Sequence, residues 1–394
     1  MNDRMQPRRW ILGSHVRTSA TALTLALLFL TILSTAPAQA QTFTTFSATG
    51  AGTSADEGTI AVGINTAGAI TGFYIVTNNV AHGFVRSASG TITEFKAPGA
   101  GTAKNQGTFP AAINTAGTIA GMYFDSLNVY HGFVRTAAGA ITAINVTGAG
   151  SGKHQGTTPI AINSAGTITG TYKDSSDVYH GFVRTAAGVV TSFDAPGAGA
   201  GTAQGTRGIA IDTAGAIAGQ YVDSSNVAHG FIRTATGTIT AINATGAGTG
   251  TGQGTTTLGI NTAGTITGAY TDSSTVSHGF VRTAAGRITE FNAPGAGTNA
   301  WLSLLVPGHG IPDQGTGGFG INTAGIIAGF YIDSSVVLHG FERTAAGTIT
   351  SFDAPGAGTS ARQGTAAIGI NTAGDITGFY IDPSGVFHGY VRTP

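Results

Sequence analysis

The 394-residue chain carries 63 glycines, 9% charged residues, no cysteine and a formal net charge of zero. That balance offers nothing to a phosphate backbone, which excludes nucleic acid as an expected partner, and the missing cysteines exclude a disulfide framework. A hydrophobic share of 41% suffices for a core, so the glycine content does not signal disorder.

Arg4, Arg8, Arg9 and Arg17 precede the apolar run "TALTLALLFLTIL" (Thr21 to Leu33), and Ala38 and Ala40 form a small-residue cleavage pattern. A basic start, a short apolar stretch and an Ala-x-Ala end predict a signal peptide over residues 1–40. A membrane anchor would need roughly 18 or more apolar residues. Removing those four arginines and Asp3 from 18 basic and 18 acidic residues leaves 14 against 17, a net charge of −3 over residues 41–394. An exported chain, secreted or periplasmic and without a membrane span after signal removal, is expected. No sorting tail or outer-membrane barrel pattern is read before Pro394, so covalent anchoring is not expected.

The first predicted strand opens "TFTTFSATGAGTSADEGT" at Thr42, which aligns with "TITSFDAPGAGTSARQGT" at Thr348. Between these stretches the chain repeats itself. The histidine of "HGF" or "HGY" recurs at His82, His131, His180, His229, His278, His339 and His388, with gaps of 49, 49, 49, 49, 61 and 49 residues. Tyrosines such as Tyr172 and arginines such as Arg184 keep the same rhythm. Each of the seven copies holds four strand-like pieces, in the third "PIAIN" (A), "TITGTYK" (B), "VYHGFVR" (C) and "VVTSFD" (D). Four short strands in 40–50 residues is the pattern of a propeller blade, and the rival is a β-solenoid. The chain begins on a lone D strand and finishes on an A-B-C set, so the two ends make one blade and remove the ring's edges. The expectation is an all-β fold, a seven-bladed β-propeller of four-stranded blades over residues 41–394, closed by the N-terminal outer strand.

"NTAG" between A and B and "TAAG" between C and D suit tight turns and share one face of the ring. The B–C loops ("DSSD", "DSSN", "DSST") and the longer D–A loops ("APGAGTAQGT") share the other, where binding is expected.

The pattern I-N-x-x-G-x-I-x-G-x-Y followed by H-G-F-x-R-x-x-x-G-x-I-x-x-F resembles the extracellular repeats of the HAF family, over about Thr42 to Pro394. This chain writes His-Gly-Phe where His-Ala-Phe is usual, and Arg where an apolar residue or Trp often follows. The resemblance implies an exported bacterial repeat protein and carries over no catalytic residue.

The seven histidines suggest a ring of ligands, but equivalent positions in a large ring lie too far apart for one metal ion. A structural role is expected for His82, His131, His180, His229, His278, His339 and His388, with Tyr172 and Arg184. In that reading His180 sits beside Tyr172 at a seam between blades, its polar edge satisfied by a turn aspartate such as Asp174, a carbonyl or the next blade, and Arg184 bonds carbonyls of a neighbouring blade. The B–C loop aspartates (Asp125, Asp174, Asp223, Asp272, Asp333, Asp382) fall short of the six to eight oxygens calcium prefers and read as turn caps. No nucleophile elbow, metal-binding motif or phosphate loop is present. Neither cofactor nor metal is expected, and the chain is expected to be monomeric. One segment breaks the symmetry: "WLSLLVPGHGIP" (301–312) lies in a D–A loop and brings Trp301 and His309, with Asp313 beside it. These three are the candidate ligand-binding residues. The function expected is a non-enzymatic binding or scaffold module for a glycan, an envelope component or a protein. The alternative is a propeller-type lyase or hydrolase acting on an extracellular polymer near His309.

Overall fold

The computed structural model describes residues 41–299 and 314–394, with the backbone of two short strands between them, Leu304–Val306 and His309–Ile311. The predicted signal peptide, Trp301 and Asp313 lie outside the described residues, and His309 is described only as a strand position paired with Val306.

Among the described residues there is no helix, and 28 strands form one continuous sheet. Each repeat runs as an antiparallel meander; the third is Gly156–Ile162 (A), Ile168–Lys173 (B), Tyr179–Arg184 (C) and Val190–Phe193 (D). Consecutive meanders meet where the start of C bridges the start of the next A, as Tyr179 does with Gly205. A carbon side chain at Gly205 would overlap the Tyr179 carbonyl, and its φ of 106° is one that glycine adopts freely. Thr42–Phe46 pairs antiparallel with Gly389–Thr393, and Gly58 bridges Phe387, so the last meander joins the first. The result is the closed ring of a β-propeller, in the all-β class the sequence led us to expect.

The repeated letters of the sequence each meet a packing demand. The Phe of His-Gly-Phe is fully buried (Phe84, Phe133, Phe182, Phe231, Phe280 and Phe341), and Tyr390 replaces it in the last copy. Gly170 lies opposite Phe182 and leaves room for its ring; a Cβ there would strike both that ring and the Thr158 carbonyl. Gly181, between His180 and Phe182, makes space for Phe193 of strand D. Each such phenylalanine contributes roughly 1.5–3 kcal/mol by leaving water. The threonine of "Gly-Thr" that opens strand A is buried in every copy, and its hydroxyl accepts the N–H that follows strand D, as Thr206 accepts from Ala195 at 2.9 Å. The preceding glutamine ties the D–A loop to the next B–C loop: Gln204 Oε1 accepts from Gly201 N–H at 2.9 Å, and its Nε2 donates to the Ser224 carbonyl and to Asn226 Oδ1.

At the turn face, the asparagine of "Ile-Asn" closes its own tight turn through Oδ1 and donates Nδ2 to the carbonyl of the next such residue. Asn65 reaches Asn114, Asn114 reaches Asn163, Asn163 reaches Asp212, Asn261 reaches Asn322, Asn322 reaches Asn371, and Asn371 returns to Asn65, at 3.0–3.3 Å. These residues ring the mouth of a central channel walled by strand A of every copy. Asp212, in the fourth copy, has an oxygen where a donor is needed, and the amide circle breaks there.

Candidate functional site

The histidines stand on the loop face in a constant setting. His180 stacks on Tyr172 with centroids 4.9 Å apart and 21° between planes. Its Nδ1 lies 3.0 Å from Asp194 Oδ1, and its Nε2 3.5 Å from Asp174 Oδ2. Asp174 uses its other oxygen to accept from Ser176 and Val178 N–H, so one carboxylate caps the B–C turn and holds the imidazole. Burial pushes that carboxyl up, but the two backbone donors and His180 outweigh it and hold the group below the usual aspartate range. His131, His229 and His278 repeat the arrangement with Asn145, Asn243 and Asn292 in the place of Asp194. His388 uses Ser47, which follows the N-terminal strand.

The turn aspartate Asp174 meets the polar edge of His180 as expected, and all the polar partners of that histidine belong to its own meander; the seam itself is filled by Tyr172, which packs with Ala120, Ile144 and Val146 of the preceding copy. The expectation for the arginine is corrected. The arginine donates to a carbonyl of its own turn, Arg184 Nη1 to Thr185 at 3.3 Å, rather than to a neighbour's. What the neighbour supplies is an aromatic face, with Arg233 4.9 Å from the Phe193 ring centroid and Arg135 4.7 Å from Phe95. Third and fifth copies follow strands D ending in Ile144 and Ile242, so Arg184 and Arg282 have no ring there.

Two histidines depart from the set. His82 has Val76 where the turn aspartate belongs and Lys96 where Asp194 would stand; burial and then the Lys96 charge push it below its ordinary value. His339 lies between Asp353, 3.1 Å from Nδ1, and Asp333, 3.5 Å from Nε2, and the Asp353 hydrogen bond leads in raising it. Among the described residues no three His, Asp or Glu side chains come together as a metal set.

The inner layer of the loop face departs furthest from symmetry. The third residue of strand A and the fourth of strand B meet there across each seam. Around the sixth, seventh, first and second copies they form one apolar cluster with Ile60, Phe73, Phe109, Phe330, Ala366 and Phe379. Over the third to fifth copies the same positions hold Thr158, Thr171, Arg207, Gln220 and Thr256, with Ala269 as the one apolar residue of the six. Thr256 Oγ1 donates to Gln220 Oε1 at 2.6 Å. The Arg207 guanidinium lies 3.8 Å from the Tyr179 ring centroid, and Lys173 Nζ reaches the same ring at 5.2 Å. Alongside, Tyr130 stacks on Phe124 with centroids 4.6 Å apart, and its hydroxyl is 3.0 Å from His154 Nδ1. Burial and the adjacent Tyr179 push the Tyr130 phenol up to about 12.

Sequence reading missed this sector because it attended to what repeats. The signal was available: all four lysines of residues 41–394 fall between Lys96 and Lys173, and Arg207 is the one charged residue at its place in strand A. Of the candidates chosen from the insertion, none has a described side chain.

No known family profile matches the sequence, and no curated protein matches it by sequence. By structure the chain is similar to the BP39L lectin of Burkholderia pseudomallei, with a TM-score of 0.53 and 10% identity over 85% of this chain and 96% of that one. It is similar to a prolyl endopeptidase with a TM-score of 0.52 and 10% identity, over 88% of this chain and 50% of that chain, so it spans half that enzyme's length. A fungal lectin from Aleuria aurantia, a six-bladed β-propeller, matches with a TM-score of 0.42 and 12% identity, over 78% and 96% of the two chains. The closed ring of meanders defines the class of protein as a β-propeller. A lectin and a peptidase both stand beside it, so the choice between binding and catalysis rests on the site.

Proposed function

We propose that the chain is an exported seven-bladed propeller of HAF-type repeats, secreted or periplasmic, that acts without catalysis as a binding module for a glycan of the cell envelope or its surroundings. The observation that carries the reading is the polar sector on the loop face. In a chain that copies its packing solution from repeat to repeat, three consecutive copies put hydrogen-bonding or cationic residues at five of these six positions, beside half-buried aromatic rings. Binding surfaces are where a protein departs from its own local rules. The Burkholderia pseudomallei lectin is a precedent for carbohydrate binding on a ring of related architecture, and only for that. The blade count of seven is supported by the seven A-B-C-D sets and the pairing of Thr42–Phe46 with the last of them.

Residues 41–394, purified from the medium or periplasm, should bind a restricted set of saccharides on a glycan array and run as a monomer in light scattering. Retention of the full chain in the cytoplasm, with residues 1–40 intact, would overturn the export reading. Sustained turnover of an extracellular polymer by the same preparation would overturn the non-enzymatic one.

A further inference from the structure

We propose that the polar sector is a site for an acidic saccharide, with Arg207 and Lys173 receiving its carboxylate and Tyr130 lying against the sugar. The proposal rests on the binding-module reading and names its substrate class.

Arg207 carries the argument. A guanidinium has five N–H donors, yet among the described residues none of those of Arg207 meets a protein acceptor, and no carboxylate lies within ion-pair distance. Among the described residues it lies against the Tyr179 ring, which satisfies the charge's face and none of its donors. Burial weakens its hold on its proton, while the side chain keeps part of its surface in solvent, where its donors are open to a ligand. The same place in other copies is filled by Ile60, Phe109 or Ala366, all buried, so folding does not require a charge here. A half-buried cation where other copies place an apolar side chain gives up hydrophobic stabilisation. Such a cost is retained where a ligand offsets it.

The surroundings select the ligand. Lys173 lies over the same tyrosine and pairs with Asp177 at 3.3 Å, a 40% exposed carboxylate whose Oδ1 also accepts from Gln155 Nε2 at 3.4 Å. Lys153 stands on the adjoining loop, and its charge and that of Lys173 add to burial in lowering His154. Two cations against one carboxylate leave a net positive charge that favours an anion. Tyr130 and Tyr179, both half-buried, set rings beside that charge, and Gln220 and Thr256 add hydrogen-bonding groups in the next seam. A sugar acid matches all three features: a carboxylate for a forked guanidinium, a C–H face for an aromatic ring, and hydroxyls for neutral polar groups. The net charge of −3 over residues 41–394 argues against a polyanion such as nucleic acid, which needs many contacts at once.

The test is calorimetric titration of residues 41–394 with trigalacturonate and with its carboxyl-reduced, neutral trisaccharide. The acid should bind about tenfold more tightly or better, with an affinity that falls as salt rises. Arg207→Met should abolish that preference while melting at or above the wild-type temperature. Lys173→Met should weaken the acid several-fold and leave the neutral sugar unchanged. Equal binding of acid and neutral sugar overturns the acidic assignment and leaves the binding-module reading standing. Undiminished acid binding by Arg207→Met, or a lowered melting temperature with binding intact, assigns Arg207 to packing and overturns the site. Failure to bind trigalacturonate overturns it as well, and a glycan array without any signal would sink the general reading with it.

Discussion

Asp212→Asn should make the protein more stable. The amide circle at the turn-face mouth has six Nδ2-to-carbonyl bonds of 3.0–3.3 Å, and the seventh link, from residue 212 to the Asn261 carbonyl, has no donor. Residue 212 is only 7% exposed, so water repairs the gap poorly. Asp212 Oδ1 already accepts from Ala216 N–H at 2.8 Å, and asparagine keeps that acceptor while placing a donor toward Asn261. One net intramolecular hydrogen bond is worth about 0.5–1.5 kcal/mol, and converting an acceptor facing an acceptor into a pair puts the gain at the upper end. For a ring of this size that is a rise of at most a few degrees in Tm. The reciprocal change, Asn322→Asp, breaks a formed link to Asn371 and leaves a buried carbonyl unpaired, at a cost of about 1–3 kcal/mol. Guanidinium and thermal unfolding of residues 41–394 at pH 7 measure both. The reasoning fails if Asp212→Asn is neutral or destabilising while Asn322→Asp unfolds like wild type, because the circle would then carry no stability.

Other expectations follow from the same geometry. Deleting residues 41–47 removes the strand paired with Gly389–Thr393, together with Phe43 against Tyr390 and Phe46 against Phe84. It should lower Tm by many degrees and expose an edge prone to self-association; melting and light scattering at wild-type values would contradict closure by this strand. In an NMR titration His339 should hold its proton to higher pH than His82, and Asp353→Asn should narrow the gap. The raised His339 stabilises the fold below pH ~6.5, and that contribution is lost as pH rises through its folded value; the lowered His82 acts in the opposite sense, its contribution lost as pH falls through its folded value. Asp125, Asp174, Asp223, Asp272 and Asp382 are all held below the ordinary aspartate range, so their contribution is present above pH ~4 and lost as pH falls through their folded values. An acid-unfolding midpoint unmoved by replacing several of them with asparagine would count against this.

The periodic part of the architecture was readable because each repeated letter answers a local demand that recurs unchanged. Gly170 opposite Phe182, the Tyr172 and His180 pair, and the lone strand at Thr42 all follow from a period-2 strand pattern and a 49-residue rhythm. The amide circle was not readable, since "NTAG" is fully accounted for by its own turn and nothing local shows where the second half of the asparagine amide goes. The direction of Arg184 was misjudged for a similar reason. Its terminal position on strand C allows either a neighbour's carbonyl or its own turn, and only the packed seam decides.

The least readable feature is the one that bears on function. Ile60, Phe109, Thr158, Arg207, Thr256, Gly317 and Ala366 occupy one place in strand A, and in an alignment of copies that column looks merely variable. Variation at a surface turn means tolerance. At a place that is buried in other copies it means that one sector of the ring has given up apolar packing, and the loss in hydrophobic stabilisation there is on the order of 1.5–3 kcal/mol for each large side chain not buried. A repeat protein spreads identical solutions around its axis by copying, so a sector that keeps Thr158, Arg207 and Thr256 together has departed from the cheapest solution at adjacent seams at once. Trp301, His309 and Asp313 attracted attention because an insertion interrupts the period. Arg207 interrupts nothing in the period, and its oddness appears only when the closed ring sets it against the apolar residues that fill the same position elsewhere.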